Sequence, residues 1–216
     1  MKKLVIFDLD GTLLNTIADL AHSTNYALNK LGYPTHEIEK YNFMVGNGID
    51  KLFERALPEE EKSKENVLRV RKEFVPYYDI HNADDSRPYP GIPELLSYLQ
   101  NAGVQIAVAS NKYQAATQKL VDHYFPEIHF TAVFGQREGV KVKPDPIIVS
   151  DILEVAKVAK EEVLYVGDSG VDMQTAANAG VTACGVTWGF RPRTELEEFN
   201  PSYIADTAGE IKKLIL

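Results

Sequence analysis

Short runs of apolar, largely β-branched residues recur along the chain at KLVIFD (3–8), VQIAVAS (104–110), TAVFG (131–135), EVLYVGD (162–168), VTACGVT (181–187) and SYIAD (202–206). Their continuous apolar character predicts strands buried on both faces. Between them, apolar residues recur at helical spacing in 91–103, 113–125, 146–159 and 172–180. Strand alternating with helix predicts an α/β fold built on a doubly wound parallel sheet.

One region departs from that rhythm. From about Thr16 to Ala83 the pattern is almost entirely helical, in 17–32, 49–57 and the charged 64–81, with no strand signal. This predicts an inserted helical domain over 16–83 and a core domain made of 1–15 and 84–216. The turn-forming DDSRPYPG (84–91) marks the return to the core. An insertion just after the first strand stands at the edge where open parallel sheets bind ligands, so a lid is expected.

The order in which polar residues follow the strands turns this architecture into a chemical hypothesis. Asp8 and Asp10 follow the first strand, Ser110 and Asn111 the second, a loop with Lys141 and Lys143 the third, and Asp168 and Asp172 the fourth. A parallel sheet brings all four ends to one edge. Clustered carboxylates repel one another in a crevice of low dielectric unless a cation stands among them. Oxygen donors without nearby Cys or His point to magnesium, with Asp8 and Asp168 as carboxylate ligands and the backbone carbonyl of Asp10 as a third oxygen.

A phosphate screened in this way can be attacked by Asp8. Asp10, two residues along an extended chain, projects to the same side and is placed to protonate a leaving oxygen. Ser110 and the amide of Asn111 are candidates to hold phosphoryl oxygens, and Lys143 to balance their charge. Asp172 is expected to orient Lys143 or a metal-bound water, and Thr12 to brace the turn at Gly11. Each station also has a bland reading. Asp8 and Asp10 could form a turn, Ser110–Asn111 or Asp168–Ser169 could cap helices, and Lys143 could be a solvated loop residue. A calcium loop beginning at Asp8 is excluded, because Leu13 and Leu14 stand where oxygen donors are required. The coincidence of polar groups at four strand ends favours the catalytic reading.

Composition narrows the partners. The 216 residues carry 31 acidic against 23 basic side chains, a formal charge of -8, which argues against a nucleic-acid surface. Cys184 is the only cysteine, so neither an internal disulfide nor a cysteine-clustered metal site can form. The apolar run after Lys2 and Lys3 stops at Asp8, too short for a secretory signal, and no membrane-spanning run is present. A cytoplasmic location and a small phosphorylated metabolite as partner are therefore expected; monomer and homodimer are equally compatible.

DLDGT (8–12), Ser110, KPDP (143–146) and GDSGVD (167–172) together resemble the four motifs of the haloacid dehalogenase superfamily, and the resemblance spans the chain. It implies magnesium-dependent phosphoryl transfer through an aspartyl phosphate. VGNGIDKLFERAL (45–57) and VTWGFRPRTEL (186–196) are similar to the phosphoglycolate phosphatase branch, which implies that Gly46, Asn47 and Gly48 face the substrate and that Trp188 and Phe190 form a wall. Pyrophosphatase, sugar-phosphate phosphatase and phosphomutase activities fit the same motifs. A non-catalytic phosphate-binding module would predict decay at one station, and none is decayed. Relatives commonly carry Asp followed by Ser or Thr where this chain has Asn15 and Thr16. Either residue could cap the first inserted helix.

Overall fold

The computed structural model describes residues 1–215. The chain divides into two compact units, Met1–Asn15 with Pro88–Leu216, and Thr16–Arg87.

The first unit is built on six parallel strands, β1 Leu4–Phe7, β2 Gln105–Tyr113, β3 Ala132–Gln136, β4 Val163–Gly167, β5 Thr182–Val186 and β6 Tyr203–Ala205. Their spatial order is β3-β2-β1-β4-β5-β6, so successive crossovers run one way from β1 and then the other. β1 lies between β2 and β4, with Leu4 in register with Gln105 on one side and Val163 on the other. The reversal of strand order therefore falls between β1 and β4, the position at which doubly wound sheets open a ligand crevice beyond their strand ends.

Period-two alternation decides what each face buries. Leu4 and Ile6 join Ala107, Val163 and Tyr165 in a cluster with Ile148, Val149 and Ile152 of α6 (Ile147–Ala156) and with Met173 and Ala176 of α7 (Gly170–Ala179). Val5 and Phe7, equally buried, point away from that cluster. α4 (Ile92–Asn101), which packs on β2 and on α9 (Ala208–Lys212), buries Ile92, Leu95, Leu96 and Leu99. α5 (Gln114–Tyr124) packs on β2 and β3, and α8 (Arg193–Glu198) contacts α7. The short α8 and α9 carry too few apolar repeats to show in the hydrophobic pattern. β2 also runs three residues past the predicted end at Ser110, with a register shift between Ala109 and Tyr113.

The second unit contains α1 (Ile17–Lys30), α2 (Ile49–Ala56) and α3 (Lys64–His81), with no strand wholly inside it. Phe53 of α2 meets Phe74 of α3 edge to face at 4.9 Å between ring centroids, and Phe74 stacks on Tyr78 at 5.0 Å. Asp19, buried on α1, accepts hydrogen bonds from Asp85 N–H (2.9 Å), Ser86 N–H (2.8 Å) and the Ser86 hydroxyl (2.6 Å). Residues 84–87 consequently cluster with the helices. Thr16 stands at the N-cap of α1, but its side chain makes no capping bond; at φ -108° and ψ 5° it lacks the extended backbone that aims an N-cap hydroxyl at the first turn. Among the described residues, no helix is long and apolar enough to cross a membrane.

Candidate active site

β1 carries four fully buried apolar residues and ends at Asp8, whose N–H extends the ladder by donating to Val166 O of β4 at 2.9 Å. The chain then turns sharply. Gly11 takes φ +86° and donates to Leu14 O, and the amides of Thr12, Leu13 and Leu14 all converge on Leu9 O. Asp8 Oδ1 accepts from Leu9 N–H (2.7 Å) and pairs with Lys143 Nζ at 3.0 Å.

Lys143 is the hub of the buried charge. Its ammonium donates to Asp172 Oδ1 (2.7 Å) and Ala109 O (2.9 Å), and its side chain is only 2% exposed. Asn111 clasps the Lys143 backbone twice, accepting from Lys143 N–H (2.8 Å) and donating to Lys143 O (3.1 Å). That assigns the Asn111 side chain to positioning Lys143. Asp172 is saturated in turn. Oδ1 also accepts from the Tyr165 hydroxyl (3.3 Å), and Oδ2 accepts from Ser169 N–H (3.1 Å) and the Ser169 hydroxyl (2.6 Å), forming the N-terminal capping box of α7. Lys141, in contrast, pairs with Asp145 at 3.4 Å on the exposed surface of the loop.

Asp168 is held from two directions. Oδ1 accepts from the Thr12 hydroxyl (3.2 Å) and Oδ2 from Phe190 N–H (2.8 Å). A Cβ on Gly11 would stand 2.3 Å from Asp168 Oδ2, and one on Gly189 would stand 2.2 Å from Asp168 Cβ. Both approaches therefore require glycine. The Thr12 hydroxyl reaches Asp168, while Thr12 O accepts from Trp188 Nε1 at 3.1 Å. The segment expected only as a wall thus contributes an amide and a close glycine contact to Asp168.

Ser110, buried on β2, accepts at Oγ from Lys112 N–H (3.2 Å), which leaves its own proton to donate. Lys112 was not singled out by sequence. Its Nζ lies 3.2 Å from Asp10 Oδ1, with side-chain exposures of 2% and 12%. The register shift between Ala109 and Tyr113 interrupts the alternation there, so spacing alone did not reveal it.

Four aspartates thus face two lysines, an excess of two negative charges when all are ionised. Burial pushes the Asp8 carboxyl well above its usual range, and Asp172, Asp168 and Asp10 push it further against the pull of Lys143. Burial, then Asp172, raises Asp168 to about 7. Burial opposes the charge on Lys143, but Asp172 and Asp8 outweigh it and hold the ammonium well above its usual value. Carboxylate oxygens of Asp8, Asp168 and Asp172 lie within 4.8 Å of one another. Hard donors, crowded and short of positive charge, suit a divalent cation. Because Asp172 is taken up by Lys143, Tyr165 and Ser169, Asp8 and Asp168 are the better-suited carboxylates.

Gly46, Asn47 and Gly48 belong to the helical unit. Gly46 and Gly48 adopt φ +118° and +87°, and Asn47 Oδ1 accepts from Arg55 at 2.7 Å while Arg55 also donates to Met44 O at 2.8 Å.

Comparison with known proteins places this arrangement among relatives. A phosphoglycolate phosphatase of Vibrio parahaemolyticus is 32% identical over 99% of this chain and 96% of its own. One of Mesorhizobium japonicum is 32% identical over 94% and 90%. A crystal structure from Lactobacillus delbrueckii subsp. bulgaricus, proposed as a phosphoglycolate phosphatase, superposes with TM-score 0.93 at 34% identity, covering 100% of this chain and 99% of that one. The model of the haloacid dehalogenase-like hydrolase family matches residues 5–186, a span that holds Asp8, Asp10, Ser110, Lys143, Asp168 and Asp172, and the chain accordingly belongs to that family, as one of its phosphatases.

Proposed function

We propose that the protein hydrolyses small phosphate monoesters with magnesium through a phosphorylated Asp8, and that its substrate is 2-phosphoglycolate. The observation that carries this reading is the state of Asp8: Oδ1 is tied to Lys143 and Leu9 N–H, which leaves Oδ2 to attack phosphorus. In the first half-reaction the Oδ2–P bond forms, the ester P–O bond breaks, and the Asp10 carboxyl gives its proton to the departing oxygen. In the second, Asp10 takes a proton from water as the water oxygen attacks phosphorus; the P–Oδ2 bond breaks, releasing inorganic phosphate and restoring Asp8.

Ser110 and the backbone amide of Asn111 would hold phosphoryl oxygens, with Lys143 opposing their charge. Asp8, Asp168 and the carbonyl of Asp10 would hold magnesium, which supplies charge neutralisation for the transferring phosphoryl group. The helical unit would serve as the lid that selects the leaving group, with Gly46, Asn47 and Gly48 facing it; its insertion soon after Asp10 supports that role. The substrate assignment rests on the activity of the Vibrio and Mesorhizobium relatives.

A magnesium-dependent assay over phosphoglycolate, sugar phosphates and pyrophosphate tests both levels. Asp8→Asn should lower turnover by about 10³-fold or more, and Asp10→Asn should accumulate labelled phosphate on the protein. Turnover that survives Asp8→Asn would remove the nucleophile, and a higher kcat/KM for pyrophosphate or a hexose phosphate would overturn the substrate.

A further inference from the structure

Beyond Asp168 the chain turns through Ser169 into α7, and the segment that follows β5 holds that turn from outside. Gly170 is the first residue of α7, so its N–H is one of the donors that a helix start leaves without an intrahelical acceptor. Glu195 of α8 supplies the acceptor, its Oε1 taking the Gly170 N–H at 3.0 Å. The other carboxylate oxygen, Oε2, lies 3.7 Å from Arg191 Nε. The two oxygens are thus turned towards different groups.

The contact does not stand alone. A Cβ on Gly170 would stand 2.2 Å from Cε2 of Phe199, the residue that closes α8, so the ring lies directly against the start of α7. Leu196 anchors α8 from beneath: it is fully buried in the apolar cluster with Tyr165 and Ala183, and a Cβ on Gly185 of β5 would stand 3.2 Å from its Cδ1. Before α8, the Phe190 N–H and the backbone of Gly189 meet Asp168 itself. One segment therefore touches the Asp168–Gly170 turn at both ends. A hydrogen bond between two elements anchored in this way fixes their spacing.

We infer that Glu195 is a positioning residue for the carboxylate of Asp168, acting through the Gly170 amide to hold the turn in the geometry that suits a magnesium ion. This rests on the reading of Asp168 as a magnesium ligand given above. Magnesium demands near-ideal octahedral geometry, and the partners that orient its ligands typically contribute about 10- to 100-fold in affinity. Reach decides the role of Glu195, and charge does not, because a single oxygen accepts from Gly170 and an amide oxygen in the same place would serve as well. A residue that only braced the fold would change Tm when lost and leave magnesium affinity where it was.

The test titrates the full chain with magnesium chloride by isothermal calorimetry, which reads the Kd without turnover. Glu195→Asp keeps the charge and loses one methylene of reach; Glu195→Gln keeps the reach and loses the charge. The Kd for magnesium should rise by about tenfold in Glu195→Ala and Glu195→Asp and stay within about threefold of the unsubstituted protein in Glu195→Gln. Where circular dichroism shows the Ala variant unfolded, the Asp and Gln variants carry the same comparison. An unchanged Kd in Glu195→Asp, or a Kd that rises as far in Glu195→Gln, would overturn the inference. Asp168→Asn measured in parallel separates the levels: weaker binding there with none at Glu195 rejects only the positioning role, whereas unchanged binding in Asp168→Asn rejects Asp168 as a ligand and the inference with it.

Discussion

At the strand ends of the core, Asp168 is pressed on by Gly11 and Gly189 and hydrogen-bonded through both oxygens, and Lys143 is clasped at its backbone and at its ammonium. In the helical unit, the stretch from Met44 to Gly48 takes side-chain hydrogen bonds from an exposed arginine, Arg55, through Asn47 and Met44 O. Buried polar atoms without a partner occur in both units, Ser23 Oγ and both side-chain amide atoms of Asn82 in the helical one and Arg137 Nε in the core, but each buried carboxylate and ammonium of the Asp8–Lys143 cluster is paired. On the proposed function the difference would follow from what each region does: a catalytic group misplaced by about 1 Å costs about 10²-fold in rate, whereas a lid that contacts the leaving group would tolerate looser geometry.

The hub should give the largest effect. Lys143→Met leaves Asp8 and Asp172 without their shared ammonium and should destabilise the protein by about 3 kcal/mol or more, measured by urea unfolding, together with loss of turnover. An unchanged midpoint would mean that the buried network does not anchor the core. Next is Gly11→Ala, which drives a methyl group into Asp168 at a left-handed φ. Turnover should fall by about 10²-fold, with magnesium dependence shifted to higher concentrations; unaltered magnesium titration would separate Gly11 from the metal site.

Acidity gives a third test. Burial and neighbouring carboxylates raise Asp168 to about 7 and Asp8 well above its usual range, compared with about 4 in an unfolded chain. Groups with raised folded values favour the fold while protonated: for Asp168 the contribution is complete below about pH 4 and is lost as pH rises through about 7, and that of Asp8 is lost in the same direction. A cation held by the ionised carboxylates offsets that loss. The rise in Tm on adding magnesium should therefore be greater at pH 8 than at pH 5.5, by roughly 2 °C or more. Equal rises would count against Asp8 and Asp168 as the ligands. The smallest change in stability is expected in the helical unit, where Asn47→Ala should alter the unfolding free energy by less than about 1 kcal/mol yet change kcat/KM for phosphoglycolate relative to p-nitrophenyl phosphate. If the ratio is unchanged, Asn47 does not face the leaving group.

Much of the core was legible because its signals are local. Runs of buried apolar residues identify β1 to β6, and the polar residue that ends each strand can be read without knowing its neighbours. The groups that escaped are those whose meaning lies in a distant contact. Lys112 reads as a loop residue until β2 is seen to continue to Tyr113. Gly189 and the Phe190 amide act on Asp168, more than twenty positions earlier in the chain, and nothing adjacent to them signals it. Thr12 was expected to brace its own turn, and its hydroxyl instead crosses to Asp168.

By itself, then, the sequence determined the layering, the strand ends at which polar residues collect and the identity of the charged groups, because periodicity and residue type act within a few positions of the chain. Only the tertiary structure decided how those charges are shared. Which lysine meets which aspartate, which oxygen of Asp8 and Asp10 is engaged, and which side chain merely holds another in place depend on strand order and on backbone approaches of a few ångströms. The placement of β1 between β2 and β4 sets those approaches, and no local pattern encodes them.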